Sequence, residues 1–222
     1  MKRRHRLPTA TGGLTDGDYP CEPDLQRIGL PARLDGATLL DVGCSDGGHS
    51  FAAEARGAQV TAIDAEESPA NEGRNWFQAT RDELGSEATY QAITLHDFAT
   101  TAPEPFDHVL CFNVLYHVED QIGAARDLLV LTKPGGRLYL KTLIDSRLPE
   151  RAQNLLPTQW GATHQPRFRF TEHGVDGDPT SYWVPNPAGV LAILRYAGFV
   201  DVAIEARRVN RLYVSATRPT GA

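Results

Sequence analysis

Cysteine is scarce, with Cys21, Cys44 and Cys111 among 222 residues and no metal-ligand spacing between them. That excludes a disulfide scaffold and a zinc ribbon. Three thiols on a chain with no leader pattern are expected to be reduced, in the cytoplasm. No apolar run approaches the ~20 residues of a membrane span, so no membrane partner is expected. Positive charge is not in excess: 22 Lys and Arg stand against 28 Asp and Glu, a net charge of −6. That balance argues against a nucleic-acid partner. The one basic run, Lys2-Arg3-Arg4-His5-Arg6, reads as a disordered N-terminal tail. Internal repeats and low-complexity tracts are absent, and no His/Asp/Glu cluster has ligand spacing, so no metal is expected.

What is present is an alternation of strand and helix signals. Residues 1–36 are rich in Gly, Pro, Thr and Asp and read as an arm, with a short helical piece near Asp24 to Gly29. Residues 37–222 read as the main domain. Buried strands are expected at "ATLLDVG", "AQVTAID", "ATYQAITLHD", "FDHVLCFNVLYH" and "GRLYLKTLI". Helices are expected at "GHSFAAEARG", at "SPANEGRNWFQATRDELG" with Ser68 as N-cap, at "QIGAARDLLVLTKPGG" and at "NPAGVLAILRYAGF". "VDVAIEA" and "RLYVSATR" lie too close together for a crossover, so they form a hairpin and one edge strand runs antiparallel. The fold class is therefore α/β: a Rossmann-like sheet, mostly parallel, with a C-terminal edge hairpin and helices on both faces.

The informative turn is "LLDVGCSDGGHS", Leu39 to Ser50. Gly43 and Gly47 flank Ser45, so the dinucleotide fingerprint G-x-G-x-x-G fails. No Lys-Ser/Thr pair follows, so it is not a phosphate-binding P-loop. Asp41, two residues before Gly43, would repel a pyrophosphate and attract an ammonium group. S-adenosylmethionine carries an ammonium and a cationic sulfonium. Asp64 ends the second strand 23 residues after Asp41, where a carboxylate can accept from ribose hydroxyls. Asp97 and Phe98 are expected to close the third strand, where they could accept from an adenine amino group and stack on the base. The competing reading of each aspartate is a helix N-cap.

D-V-G-C-S-D-G, the A-I-D pair, H-D-F and K-P-G-G-R-L-Y-L resemble the class I S-adenosylmethionine-dependent methyltransferases, over roughly residues 36–217. The resemblance implies a seven-stranded sheet with its last strand antiparallel, and S-adenosylmethionine as cofactor. It implies that Gly43, Cys44, Ser45 and Gly47 let the cofactor approach the backbone. Asp64 and Ala65 would meet the ribose, Asp97 the adenine, and Phe112 and Asn113 the sulfonium and methionyl end. The family usually has glycine where Ser45 stands. Within that family, "FNVLYHVED" and "YWVPNPAGVLAILRYAGFVDV" are similar to enzymes that modify the wobble uridine of tRNA with carboxy-S-adenosylmethionine. There Tyr116 would bind cofactor, and one of Arg207, Arg208 or Arg211 would meet the added carboxylate, the plainer alternative for these arginines being a solvated strand face. The long basic N-terminal extension of those enzymes has no counterpart here, which favours the ordinary cofactor.

Residues 144–183 hold Trp160, Phe168, Phe170, Tyr182 and Trp183 with His164 and His173, and little periodicity. A segment of this kind is expected to be a substrate lid suited to an apolar or planar small-molecule acceptor. Packing of those aromatics on the sheet edge is the plainer alternative. Methyl transfer to oxygen needs a base, and the candidates are His117, His164 and His173. His117 could equally bond a backbone carbonyl and orient its loop. The expected function is methyl transfer to a small molecule, at oxygen. The rivals are tRNA modification and a non-catalytic cofactor-binding module. No oligomeric state follows from these features.

Overall fold

A computed structural model describes residues 3–9, 13–65, 76–145, 165–175 and 177–221. Among these residues the chain begins with a two-residue strand β1 (His5–Arg6) paired in parallel to β2 (Tyr19–Pro20), followed by helix α1 (Glu22–Arg27). The main sheet then unfolds in order: β3 (Thr38–Val42), α2 (Gly48–Glu54), β4 (Gln59–Asp64), α3 (Trp76–Leu84), β5 (Thr89–Ala92), α4 (Leu95–Thr100), β6 (Phe106–Phe112), a 3₁₀ turn at Leu115–His117, α5 (Gln121–Leu131) and β7 (Thr132–Leu143). A small antiparallel pair, β8 (Phe168–Phe170) with β9 (Trp183–Pro185), precedes α6 (Pro187–Ala197), β10 (Val200–Arg208) and β11 (Arg211–Thr217).

The seven-stranded sheet has the order β10-β11-β7-β6-β3-β4-β5. β3, β4, β5, β6 and β7 are mutually parallel, and β11 runs antiparallel to both β7 and β10. The hairpin lies at the edge as its short connection requires, but the antiparallel strand is its inner member.

Period-two alternation decides which helices cover which face. Leu39, Val60, Ala62, Leu110 and Tyr139 join one core with Leu25 of α1, Phe51 of α2 and Phe77 of α3. Leu40, Val42, Ile63, Val109 and Leu138 join the other with Phe98 of α4, Leu128 of α5 and Leu194 of α6. Helix ends follow local chemistry. Asp120 and Asn186 cap α5 and α6 by accepting from Gly123 N and Gly189 N, each at 2.8 Å. Gly198, at φ +114°, ends α6 in the left-handed conformation glycine tolerates.

Three expectations need correction. The third parallel strand ends at Ala92, and Asp97-Phe98 lies in a helix. Thr94 caps α4 through Asp97 N at 3.1 Å, and the two side chains meet at 2.6 Å. This side-chain cap outweighs the strand propensity of Ile93-Thr94. The basic run is folded from Arg3 onward: Arg3 pairs with Glu83 at 2.6 Å, and His5 is buried. Leu7, Leu25, Ile28, Leu30 and Leu34 of the arm are buried in the same core as β3 and β4. The expected Ser68 cap lies outside the described residues, as do Trp160 and His164.

Candidate active site

A cleft of about 790 Å³ opens at the carboxyl ends of β3, β4 and β6. In an open α/β sheet this is where ligands bind, at the point where the strand order reverses. Here the chain runs outward from β3 through β4 to β5, then returns to β6 on the other side of β3.

The turn after β3 forms the cleft floor with Gly43, Cys44 and Ser45. Gly43 has φ +72°, and a Cβ there would lie 2.1 Å from Val114 Cγ2 in the loop after β6. Only glycine allows that approach. Gly47 has φ +82°, and its Cβ would lie 2.3 Å from the Phe51 ring. Ser45 takes φ +54°, a left-handed conformation costly for a residue with a Cβ. Its amide donates to Asp64 Oδ2 at 2.7 Å. That bond ties the turn to the end of β4, where Asp64 and Ala65 form the adjoining wall.

Asp41 lies beneath the turn and is not part of the cleft lining. It accepts from Ser50 Oγ at 2.6 Å, within the first turn of α2. Burial pushes its carboxyl up to about 6, against the Ser50 bond and the neighbouring His5. Burial likewise raises the Cys44 thiol, with Asp41 and Asp64 adding to it, so that thiol is neutral. Asp97 is exposed on α4 and Phe98 is in the core beside Phe106, so neither forms cleft lining. The wall there is Ile93, Thr94 and Leu95 instead.

Phe112 ends β6, and Asn113 and, one turn on, His117 follow it in the cleft lining. Asn113 has φ +60°, and its amide donates to Lys141 O at 2.7 Å. Its Oδ1 is buried without a hydrogen-bond partner among the described residues. Tyr116 is buried with Leu143 and Val184 behind the wall, and the Arg211 guanidinium lies 5.8 Å from its ring centre.

His117 Nδ1 lies 3.0 Å from the Thr180 carbonyl. Thr180 Oγ1 lies 3.0 Å from the same nitrogen and donates its own proton to Asp178 Oδ1 at 2.7 Å, so Nδ1 faces two acceptors and the arrangement favours a proton there. Nε2 lies 3.9 Å from Asp178 Oδ2. Desolvation opposes ionisation of Asp178, but hydrogen bonds from the Thr180 side chain and backbone, with His117 nearby, hold its carboxyl below the usual range. The stretch before β9 thus contributes Asp178, Thr180 and Tyr182 to the cleft. His173 is exposed and outside the lining.

The arm supplies Arg4 and His5, and α2 supplies His49. Sequence reasoning missed all three. A basic run gives no periodic signal, and His49 is indistinguishable from any helix-face histidine until His5 is seen packed against it.

The sheet order and a cleft in this position define a Rossmann-like methyltransferase fold. The chain belongs to the methyltransferase-domain family, whose model matches residues 15–199. Among curated relatives, the ubiquinone biosynthesis O-methyltransferase of Stutzerimonas stutzeri (strain A1501) is 40% identical over 110 residues, 50% of this chain and 46% of that protein. The chain therefore spans about half the length of the curated relatives it matches. Among solved structures, the N-terminal domain of EvdMO1, crystallised with S-adenosylhomocysteine and D-fucose, matches with TM-score 0.64 at 18% identity, covering 91% of this chain and 85% of that one. Magnesium protoporphyrin IX methyltransferase from Synechocystis PCC 6803, with bound S-adenosylmethionine, matches with TM-score 0.58 at 19% identity, covering 89% and 77%. No described helix is long and apolar enough to cross a membrane.

Proposed function

We propose that this chain transfers a methyl group from S-adenosylmethionine to a hydroxyl oxygen of a small molecule. The observation that carries the reading is the place of His117 on the cleft wall, with Nδ1 3.0 Å from the Thr180 carbonyl and Nε2 3.9 Å from Asp178 Oδ2. Bound S-adenosylmethionine supplies a methyl carbon activated by the sulfonium.

The cleft suits that cofactor. Asp64 at the end of β4 is the acceptor for ribose hydroxyls, with Ala65 beside it. The unpartnered Asn113 Oδ1 suits the methionyl ammonium, and Arg4 suits the carboxylate. Ile93 and Leu95 offer apolar contact for the base, in place of Phe98. Asp41 acts through the turn, as a negative charge under the first turn of α2.

In this reading Nε2 of His117 accepts the hydroxyl proton as the oxygen attacks, and Asp178 stabilises the imidazolium that forms. The lid residues Thr180 and Tyr182 exclude water and align the acceptor. The named O-methyltransferase relatives support oxygen as the acceptor atom. Three free buried thiols are consistent with a reducing, cytoplasmic setting.

The wobble-uridine reading has one observation in its favour, the Arg211–Tyr116 pair. That pair sits outside the cleft lining, so ordinary S-adenosylmethionine and a small acceptor are preferred. Calorimetric titration with S-adenosylmethionine, S-adenosylhomocysteine and carboxy-S-adenosylmethionine tests this directly. Binding of the first two is expected. No binding of either would end the proposal, and preference for the carboxylated form would favour the alternative. Deuterated-methyl cofactor with a panel of phenols and sugars, read by mass spectrometry, identifies the acceptor.

A further inference from the structure

We propose that His5, Cys21 and His49 form a zinc(II) site that fastens the N-terminal arm to the first helix of the domain. One ligand atom of each residue lies within 4.8 Å of the others, and all three residues are buried. His5 belongs to β1 and Cys21 immediately precedes α1, while His49 is in the first turn of α2. The three positions are far apart in sequence, so no spacing motif announces them.

The surroundings are built for the purpose. Asp46 accepts from the His5 backbone at 2.7 Å and also engages His5 Nδ1. That leaves Nε2 as the coordinating nitrogen, with a carboxylate behind the ring, as is usual for metal-binding histidines. His49 is buried and its Nε2 has no hydrogen-bond partner. Asp24 Oδ2 stands 3.8 Å from it, too far for a hydrogen bond. The imidazoles of His5 and His49 meet edge to face at 4.8 Å between ring centres, and Phe112 packs edge to face against His49 at 4.9 Å. Gly48 makes the approach possible: a Cβ there would lie 2.3 Å from His5 Cγ.

The donor set selects the ion. Two imidazoles and one thiolate are borderline-soft ligands, which suit zinc rather than magnesium or calcium. Bonds of about 2.0–2.3 Å in tetrahedral geometry place donor atoms roughly 3.3–3.8 Å apart. On binding, zinc displaces the proton from Cys21 Sγ to solvent, and the sulfur lone pair forms the Zn–S bond. The imidazoles line the cleft and the thiol does not, so the fourth position faces the cleft and takes a water.

The inference does not depend on the methyl-transfer reading, and its test reads metal alone. The full chain is freed of metal by chelation, then loaded with zinc or cobalt(II) and dialysed. The wild-type protein is expected to keep one zinc per chain by mass spectrometry. Its melting temperature should rise on loading, and the cobalt form should show a thiolate-to-cobalt charge-transfer band in the near ultraviolet. Cys21→Ser should lose that band, and His49→Gln should lose the melting shift. Absence of the band and of retained zinc in the wild type overturns the proposal, even if either variant fails to fold. A band that persists in Cys21→Ser overturns it too, by assigning the sulfur to another cysteine.

Discussion

The Ser45 amide donates to Asp64 across the mouth of the sheet at 2.7 Å. One carboxylate therefore serves both the turn after β3 and the cleft wall after β4. Asp64→Ala is expected to weaken cofactor binding by roughly 1.5–3 kcal/mol, the scale of a hydrogen bond to a charged group. Titration calorimetry with S-adenosylhomocysteine measures it. Unchanged affinity in a folded variant would remove Asp64 from the ribose role.

Ser45→Gly tests the strain at that turn. Serine holds φ +54° there, a conformation glycine adopts without penalty. The variant should be more stable by up to about 1 kcal/mol, once the glycine entropy cost in the unfolded chain is offset. Urea denaturation reads the change. A clear loss of stability would show that the serine hydroxyl makes a contact that outweighs the strain.

His117→Gln should lower kcat by about 10²–10⁴-fold while leaving cofactor affinity close to wild type. His173→Gln should do neither, because His173 is exposed outside the cleft lining. Steady-state kinetics beside calorimetry separates the two effects. Equal activity of the His117 variant would leave that histidine only a loop-orienting role through Thr180.

Asp41 gives a pH dependence of defined sign. Burial raises its folded pKa from the ordinary 3.8 to about 6, with Ser50, His5 and Asp64 as the neighbours that modify it. The folded state then binds the proton more tightly than the unfolded state. The stabilisation is fully present below pH ~4 and is lost as pH rises through about 6. Asp41→Asn should flatten that part of the stability profile between pH ~4 and ~7, measured by urea melts at fixed ionic strength. A slope unchanged in the variant would assign the proton elsewhere.

Asp24 accepts from Tyr213 Oη at 2.6 Å and from Lys141 Nζ at 2.5 Å. Desolvation opposes its charge, but His49, Lys141 and Tyr213 together hold the carboxyl well below its usual range. Asp24→Ala would leave the Lys141 ammonium buried without its counter-charge. The expected cost is about 3–5 kcal/mol, the scale for breaking one half of a buried pair. Thermal unfolding reads it, and a loss under about 1 kcal/mol would show that water reaches the lysine.

The central strands were legible in the sequence because burial on both faces makes β3 and β6 continuous apolar runs. The hairpin was legible from a connection too short for a helix. Gly43, Asp64 and Asn113 lie at or just past the ends of β3, β4 and β6, strands that lie side by side in the sheet; spacing indicated the first two positions, and the family resemblance the third. Thr94 and Asp97 misled because the apolar residues around them suit a strand, while the Thr94 cap suits a helix. The arm was illegible for a different reason. His5 meets Asp46 across 41 positions, and no local pattern encodes a partner so distant.

The placement of β11 bears on how the molecule assembles. It is hydrogen-bonded on both sides, to β7 by one edge and β10 by the other, yet it is translated after both. During synthesis β10 has no neighbour to dock against until β11 emerges, and β7 keeps an open, sticky edge for the same interval. The seven-stranded sheet is thus completed by insertion of its final ribbon, so a nascent chain stalled near residue 208 would be the form most prone to aggregate.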